Sequence, residues 1–203
     1  MRLYLINLIV FLIIHSIVKA QTNVLVDPRD GKEYKVVEIG SQIWMAENMA
    51  YKIQTSEVYT KYKQSFPEYS IYDYADSNFI KYGALYEWKV AQKVCPIGWH
   101  LPSKIEYDAL LSYVGEGDAE KAYKALIVGG GSGFNALMGG FDLGKFTGKT
   151  AVGAFWSSTE IERNGAVPLN VSKYYGKAFT SSNIKKFVPA AKSLLLSVRC
   201  IKD

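Results

Sequence analysis

The chain has 203 residues, which allows one domain at the usual ~100–200 residues per domain. Its 49% hydrophobic and 21% charged residues exclude a disordered chain. The formal charge of +5 is mild and unclustered, with Lys185-Lys186 the one basic pair, so there is no nucleic-acid footprint.

The first 20 residues form a separate object. Arg2 precedes an apolar run from Leu3 to Ile14, and Val18-Lys19-Ala20 closes it. That is the layout of a secretory signal peptide, with cleavage expected after Ala20 and Gln21 as the new N-terminus. The run is shorter than the ~20 residues a membrane-spanning helix needs. No later segment is long and apolar enough to span a bilayer, so no transmembrane segment is expected after cleavage. Loss of Arg2 and Lys19 lowers the charge from +5 to +3. An exported chain meets an oxidising compartment, and the two cysteines allow one pairing, Cys95 with Cys200.

Residues 24–49 read as a β-meander, with "EYKVVEI" and "QIWMAEN" joined by Gly40-Ser41. Residues 51–82 show no period and read as a long surface excursion. Ala84, Trp88, Ala91 and Cys95 share one face of a 3.6-residue helix, which Pro96 stops. Ser103 and Glu106 form a capping box at the start of a second helix, carried by Tyr107, Leu110, Leu111 and Val114 and ended by Gly115. A third helix covers Ala119–Ile127, before Gly129-Gly130-Gly131.

Short β-like runs follow: "GFNALMGGF", "GAFWSSTE", "GAVPLNVSKYY", "GKAFTSS" and "SLLLSVRCI". In the last, Leu194, Leu196, Val198 and Cys200 share a face. Strands, then helices, then strands is an α+β pattern with an antiparallel sheet. "GGGSGF" lacks the Lys-Ser/Thr of a phosphate loop and reads as a hinge.

"YGALYEWKVAQKVCPIGWHLPSKIEYDAL", "GFNALMGGF", "FWSSTE" and the terminal "SVRCIKD" resemble the Fibrobacter succinogenes major paralogous domain, over residues 27–203. That family occurs in exported proteins of Fibrobacter and Bacteroidetes. The resemblance implies a C-type lectin-like fold near the formylglycine-generating-enzyme type. A long disulfide from the first helix to the last strand is a hallmark of such domains. The expected location is secreted, periplasmic or at the cell surface of a Gram-negative bacterium.

The sharper chemistries lack their residues. Formylglycine generation uses a reactive cysteine pair near the chain end, where only Cys200 stands. Related iron-dependent sulfoxide synthases need several histidines, and only His100 lies beyond residue 20. A Cys95–His100 nucleophile pair would need a reduced thiol, which the Cys200 pairing removes. His100 reads as a partly buried histidine bonded to backbone. The calcium tripeptides of sugar-binding C-type lectins, "E-P-N" or "Q-P-D" with "W-N-D", are absent. A structural Ca²⁺ at Asp27, Asp30 or Glu160 has no motif behind it, so no cofactor is expected.

The candidate ligand-binding residues are Trp156, Ser157, Ser158, Thr159 and Glu160, with Tyr174 and Tyr175. Core packing competes for Trp156, and strand-end capping competes for the Ser and Thr hydroxyls. One of the adjacent tyrosines is expected to face outward. Asn170-Val171-Ser172 fits a glycosylation sequon, relevant only in a eukaryotic pathway. The expected function is an exported, non-catalytic module binding a polysaccharide or protein outside the cell. The alternatives are a structural component of a surface appendage and, remotely, an enzyme of unknown type.

Overall fold

The structure is a computed structural model describing residues 24–53, 68–161, 165–180 and 190–203. The expected signal segment at 1–20 lies outside the described residues. So does much of the expected 51–82 excursion, along with Lys185-Lys186.

The first half runs β1 (Val24–Val26), β2 (Glu33–Ile39), β3 (Gln42–Met45), β4 (Tyr69–Ser70), α1 (Asp76–Tyr82), β5 (Leu85–Tyr86) and α2 (Trp88–Val94). Then come β6 (Trp99–His100), α3 (Lys104–Gly115) and α4 (Ala119–Leu126). The second half holds β7 (Phe141–Asp142), β8 (Phe146–Thr147), β9 (Val152–Phe155), β10 (Glu160–Ile161) and β11 (Gly165–Ala166). It ends with β12 (Leu169–Ser172), β13 (Lys177–Thr180), β14 (Ala190–Ala191), β15 (Leu196–Ser197) and β16 (Ile201–Lys202). The architecture is mixed α+β, with several sheets and four α-helices among the described residues.

Two sheets carry most of it. A five-stranded sheet has the order β1-β2-β3-β16-β6, and a six-stranded sheet has the order β13-β12-β9-β15-β5-β4. The β2–β3 hairpin closes at Gly40-Ser41, as its Ile39↔Gln42 register requires. Gly40 takes φ +62° at the first turn position, where a tight hairpin favours glycine. The terminal run splits between the two sheets. Leu196-Ser197 pairs with β5 and β9, while Ile201 pairs with Trp44 and His100. Val198-Arg199-Cys200 crosses between them.

The helices follow their local signals, with two corrections. The Ser103 capping box forms as read, with its side chain accepting from the Glu106 amide and the Glu106 carboxylate accepting from the Ser103 amide. The helix expected from Ala84 starts at Trp88 instead. Gly83 has φ +75°, and a Cβ there would lie 2.5 Å from the Met49 carbonyl oxygen. The chain therefore bends sharply, and Leu85-Tyr86 pairs with β15 and β4 rather than coiling. The second correction is α1, a helix inside the expected surface excursion.

The cores sit on either side of these elements. One joins Tyr34, Met45, Trp88, Ala91, Trp156 and Val198. The other lies under α3 and α4, where Tyr107, Leu110 and Leu126 meet Trp44, Phe155 and Leu169. Cys95 caps the end of α2 and is bonded to Cys200, with Cα atoms 5.9 Å apart. The bridge ties α2 to the residue before β16, across 105 positions of sequence.

Candidate ligand-binding cleft

Strand alternation sorts the residues of the six-stranded sheet. Phe155, Leu169, Val171 and Ala178 face the α3–α4 core. Their neighbours point the other way. In register, Asn170 lies opposite Ala154 and Phe179, and Ser172 lies opposite Val152. These side chains, with Leu194 and Leu196, form the floor of a cleft of about 410 Å³. Phe141 and Gly148 wall it on one side and Pro168 and Ala190 also line it.

The rim is the turn between β12 and β13, residues 173–176, in which Gly176 takes φ +58°. Tyr174 is 74% exposed there and Tyr175 60% exposed, and both line the cleft. The expected alternation of one tyrosine in and one out fails because the pair sits in a turn and not on a strand.

Among the described residues, no Asp, Glu, Lys, Arg or His lines the cleft, although Lys173 stands in the rim turn and Lys177 lies opposite Ser172 in register. Its floor is mostly apolar, with Asn170 and Ser172 as polar points. Ser172 is only 3% exposed, and its hydroxyl finds no hydrogen-bond partner. A buried hydroxyl left unpaired costs about 1–3 kcal/mol, so this one is unusual unless something outside the fold meets it. The strand placement also removes the sequon reading, since Asn170 and Ser172 are consecutive outward residues of a central strand.

The other candidate residues lie elsewhere: the binding role expected for them is not met, and the competing readings of core packing and strand-end capping are. Trp156 is fully buried, and its indole N–H donates to the Tyr86 carbonyl at 2.7 Å. It belongs to the core and offers no face to a ligand. Ser157 is also buried, with its hydroxyl donating to the Val167 carbonyl and accepting from the Thr159 amide at 3.2 Å. The Thr159 hydroxyl accepts from the Lys104 amide at 2.8 Å, a second cap on α3 supplied from another strand end. Ser158 is exposed, and its amide donates to the Pro102 carbonyl at 2.8 Å. Glu160 is exposed and ion-paired with Lys192. None of residues 156–160 lines the cleft.

The calcium candidates are occupied by other groups. Asp27 is fully buried, and Arg29 grips both of its oxygens at 2.9 and 2.6 Å while reaching the Val94 carbonyl at 2.7 Å. Burial opposes ionisation of Asp27, but the Arg29 hydrogen bonds outweigh it and hold the carboxyl below its usual range. Asp30 accepts from the Lys32 amide at 3.0 Å. Among the described residues, no group of three His, Cys, Asp or Glu could hold a metal ion.

His100 is partnered by carboxylates and not by backbone. Nδ1 lies 2.6 Å from Asp203 and Nε2 lies 2.8 Å from Glu106. Burial lowers the His100 pKa, but the two carboxylates outweigh it and raise it above its ordinary 6.5. For Glu106 burial acts upward, yet the Ser103 amide and His100 bring the carboxyl below 4.5. The His100 contribution to stability is therefore full below its unfolded pKa and is lost as pH rises through the higher folded value. The Glu106 contribution is present above its unfolded pKa and is lost as pH falls through the lower folded value. The melting temperature is expected to fall as pH rises from about 6 to about 9, and His100→Gln to flatten that fall. An undiminished fall in the variant would assign it to other groups.

With Cys95 in a disulfide, no thiol is free to pair with His100. No helix among the described residues is long and apolar enough to cross a membrane. No curated protein and no solved structure matches the chain. A family described as the Fibrobacter succinogenes major domain matches residues 37–202. The match begins within β2 and takes in the hairpin turn, β3, the four described α-helices and the cleft, and the chain belongs to the Fibrobacter succinogenes major domain family.

Proposed function

We propose that the protein is an exported, non-catalytic binding module on a C-type lectin-like scaffold, and that its cleft holds a neutral polysaccharide. The observation that carries this reading is the cleft itself. It combines exposed Tyr174 at the rim, a lining without charged side chains among the described residues, and the buried, unpartnered Ser172 hydroxyl in the floor. Aromatic rims stack on the C–H faces of sugar rings, and hydroxyl and amide groups meet sugar hydroxyls. A protein ligand is the next reading, since an apolar cleft also accepts a side chain. The Cys95–Cys200 bridge, joining a helix to the final strand, supports the lectin-like reading of the fold. It also supports export, because disulfides persist in oxidising compartments.

One observation favours the assembly alternative. Among the described residues β1 is an edge strand of the five-stranded sheet, with Val24 and Val26 exposed. Unpaired strand edges are templates for pairing with another chain. Concentration-dependent oligomers lost on Val26→Lys would favour that role.

The binding reading is tested by screening the purified protein against glycans and polysaccharides, with calcium and with chelator. Binding is expected in both conditions. Tyr174→Ala is expected to weaken it about tenfold or more, a typical loss for one aromatic stack, without changing the melting temperature. Failure to bind any glycan would move the weight to a protein ligand or assembly.

A further inference from the structure

The floor of the cleft narrows the ligand class further, on the premise that the cleft binds sugar. A plain hexose carries a hydroxyl on most ring carbons. Each hydroxyl pushed into a floor of Ala154, Leu194, Leu196 and Phe179 would lose water and find no partner. Buried unpaired polar groups carry a desolvation penalty that such a floor does not offset. An acyl chain fits the apolar part but covers Ser172 and Asn170 without pairing them. The group that suits the floor has a small apolar tip, one strong acceptor and one donor, and no charge.

We infer that the cleft selects sugars bearing an acetamido group, such as N-acetylhexosamine units of a neutral polysaccharide. The methyl rests on Ala154 and Leu196. The acetamido carbonyl accepts from the Ser172 hydroxyl, the buried donor that the fold leaves unpaired. The acetamido N–H donates to the Asn170 side-chain oxygen. Tyr174 stands at the rim, 74% exposed, to stack on the pyranose ring. Removing the acetyl group leaves an ammonium, which no described lining residue can neutralise.

The test is calorimetric titration of the purified protein with tri-N-acetylchitotriose, its deacetylated form, cellotriose and dodecanol. The acetylated trisaccharide is expected to bind at least about tenfold more tightly than each of the others. Ser172→Ala is expected to reduce that preference about tenfold while raising the melting temperature of the free protein, because it removes a buried hydroxyl that has no partner there. Equal binding of cellotriose overturns the acetamido inference and leaves the polysaccharide reading intact. Tighter binding of dodecanol overturns both in favour of an acyl ligand. Binding of none of the four overturns the acetamido inference, and the broader screen then decides the polysaccharide reading separately.

Discussion

Arg199→Met is expected to destabilise the protein by about 3–5 kcal/mol, because it leaves three acceptors without their charged donor, at about 1–3 kcal/mol each. Arg199 is fully buried and, among the described residues, hydrogen-bonds to no carboxylate, although the charge of Glu47 acts on it. It donates to the Phe134 carbonyl, to the Asn48 side-chain oxygen at 2.6 Å and to the Asn135 carbonyl at 3.2 Å. Its guanidinium carbon also lies 4.4 Å from the centre of the Phe134 ring and 5.4 Å from that of Phe155. Burial pushes its pKa down, to about 9, so the group remains charged at neutral pH. The cation thus fastens the loop at residues 134–135 to the segment after β3. Methionine fills much of the volume but leaves three acceptors without a donor. The melting temperature is expected to fall by roughly 6–20 °C. Arg199→Lys is expected to recover little, because an ammonium cannot reproduce the planar fork. An unchanged melting temperature in Arg199→Met would contradict the network.

Cys95→Ala with Cys200→Ala is expected to cost about 4–5 kcal/mol, or roughly 8–20 °C in melting temperature. The closed loop spans 105 residues, and long loops remove the most entropy from the unfolded chain. The bridge also joins α2 to the crossing between the two main sheets, so its loss unties the core at one point. Reductant should reproduce the shift in the native protein and produce none in the double variant. If reductant leaves the native melting curve in place, the bridge contributes no stability.

The sequence showed the fold best where the determinants are local. The Ser103–Glu106 box, the Gly40 hairpin and the face shared by Leu196, Val198 and Cys200 rest on neighbours in the chain. It misled where distant segments compete. Leu85-Tyr86 has a helix-compatible pattern, but β15 and β4 supply strand partners that no local window contains. α1 buries little beyond Tyr82, so it has no apolar stripe to read.

The site was half legible for the same reason. Tyr174 and Tyr175 lie in a segment whose flanking Lys173 and Gly176 favour a turn, and both are exposed. The sequence left Trp156 between core and ligand platform, and the structure takes the core reading, with Phe155 and Trp156 both covered. The alternation in "LNVS" set Asn170 and Ser172 apart from Leu169 and Val171. It could not show that β9, β13 and β15 complete a cleft around them. Arg199 stands on the strand face opposite Val198 and Cys200, normally a solvated position. The Phe134 loop covers that face instead.

The central claim is that ligand enters the cleft on the face of the six-stranded sheet opposite α3 and α4. The most direct measurement is a ¹H–¹⁵N NMR titration of the protein with the tightest glycan found by screening. The account predicts saturable shifts in the amides of Gly148, Ala154, Asn170, Ser172 and Tyr174, with residues 157–160 unmoved. Shifts concentrated at residues 157–160, with the cleft amides silent, would contradict it and return the site to the strand end after Trp156.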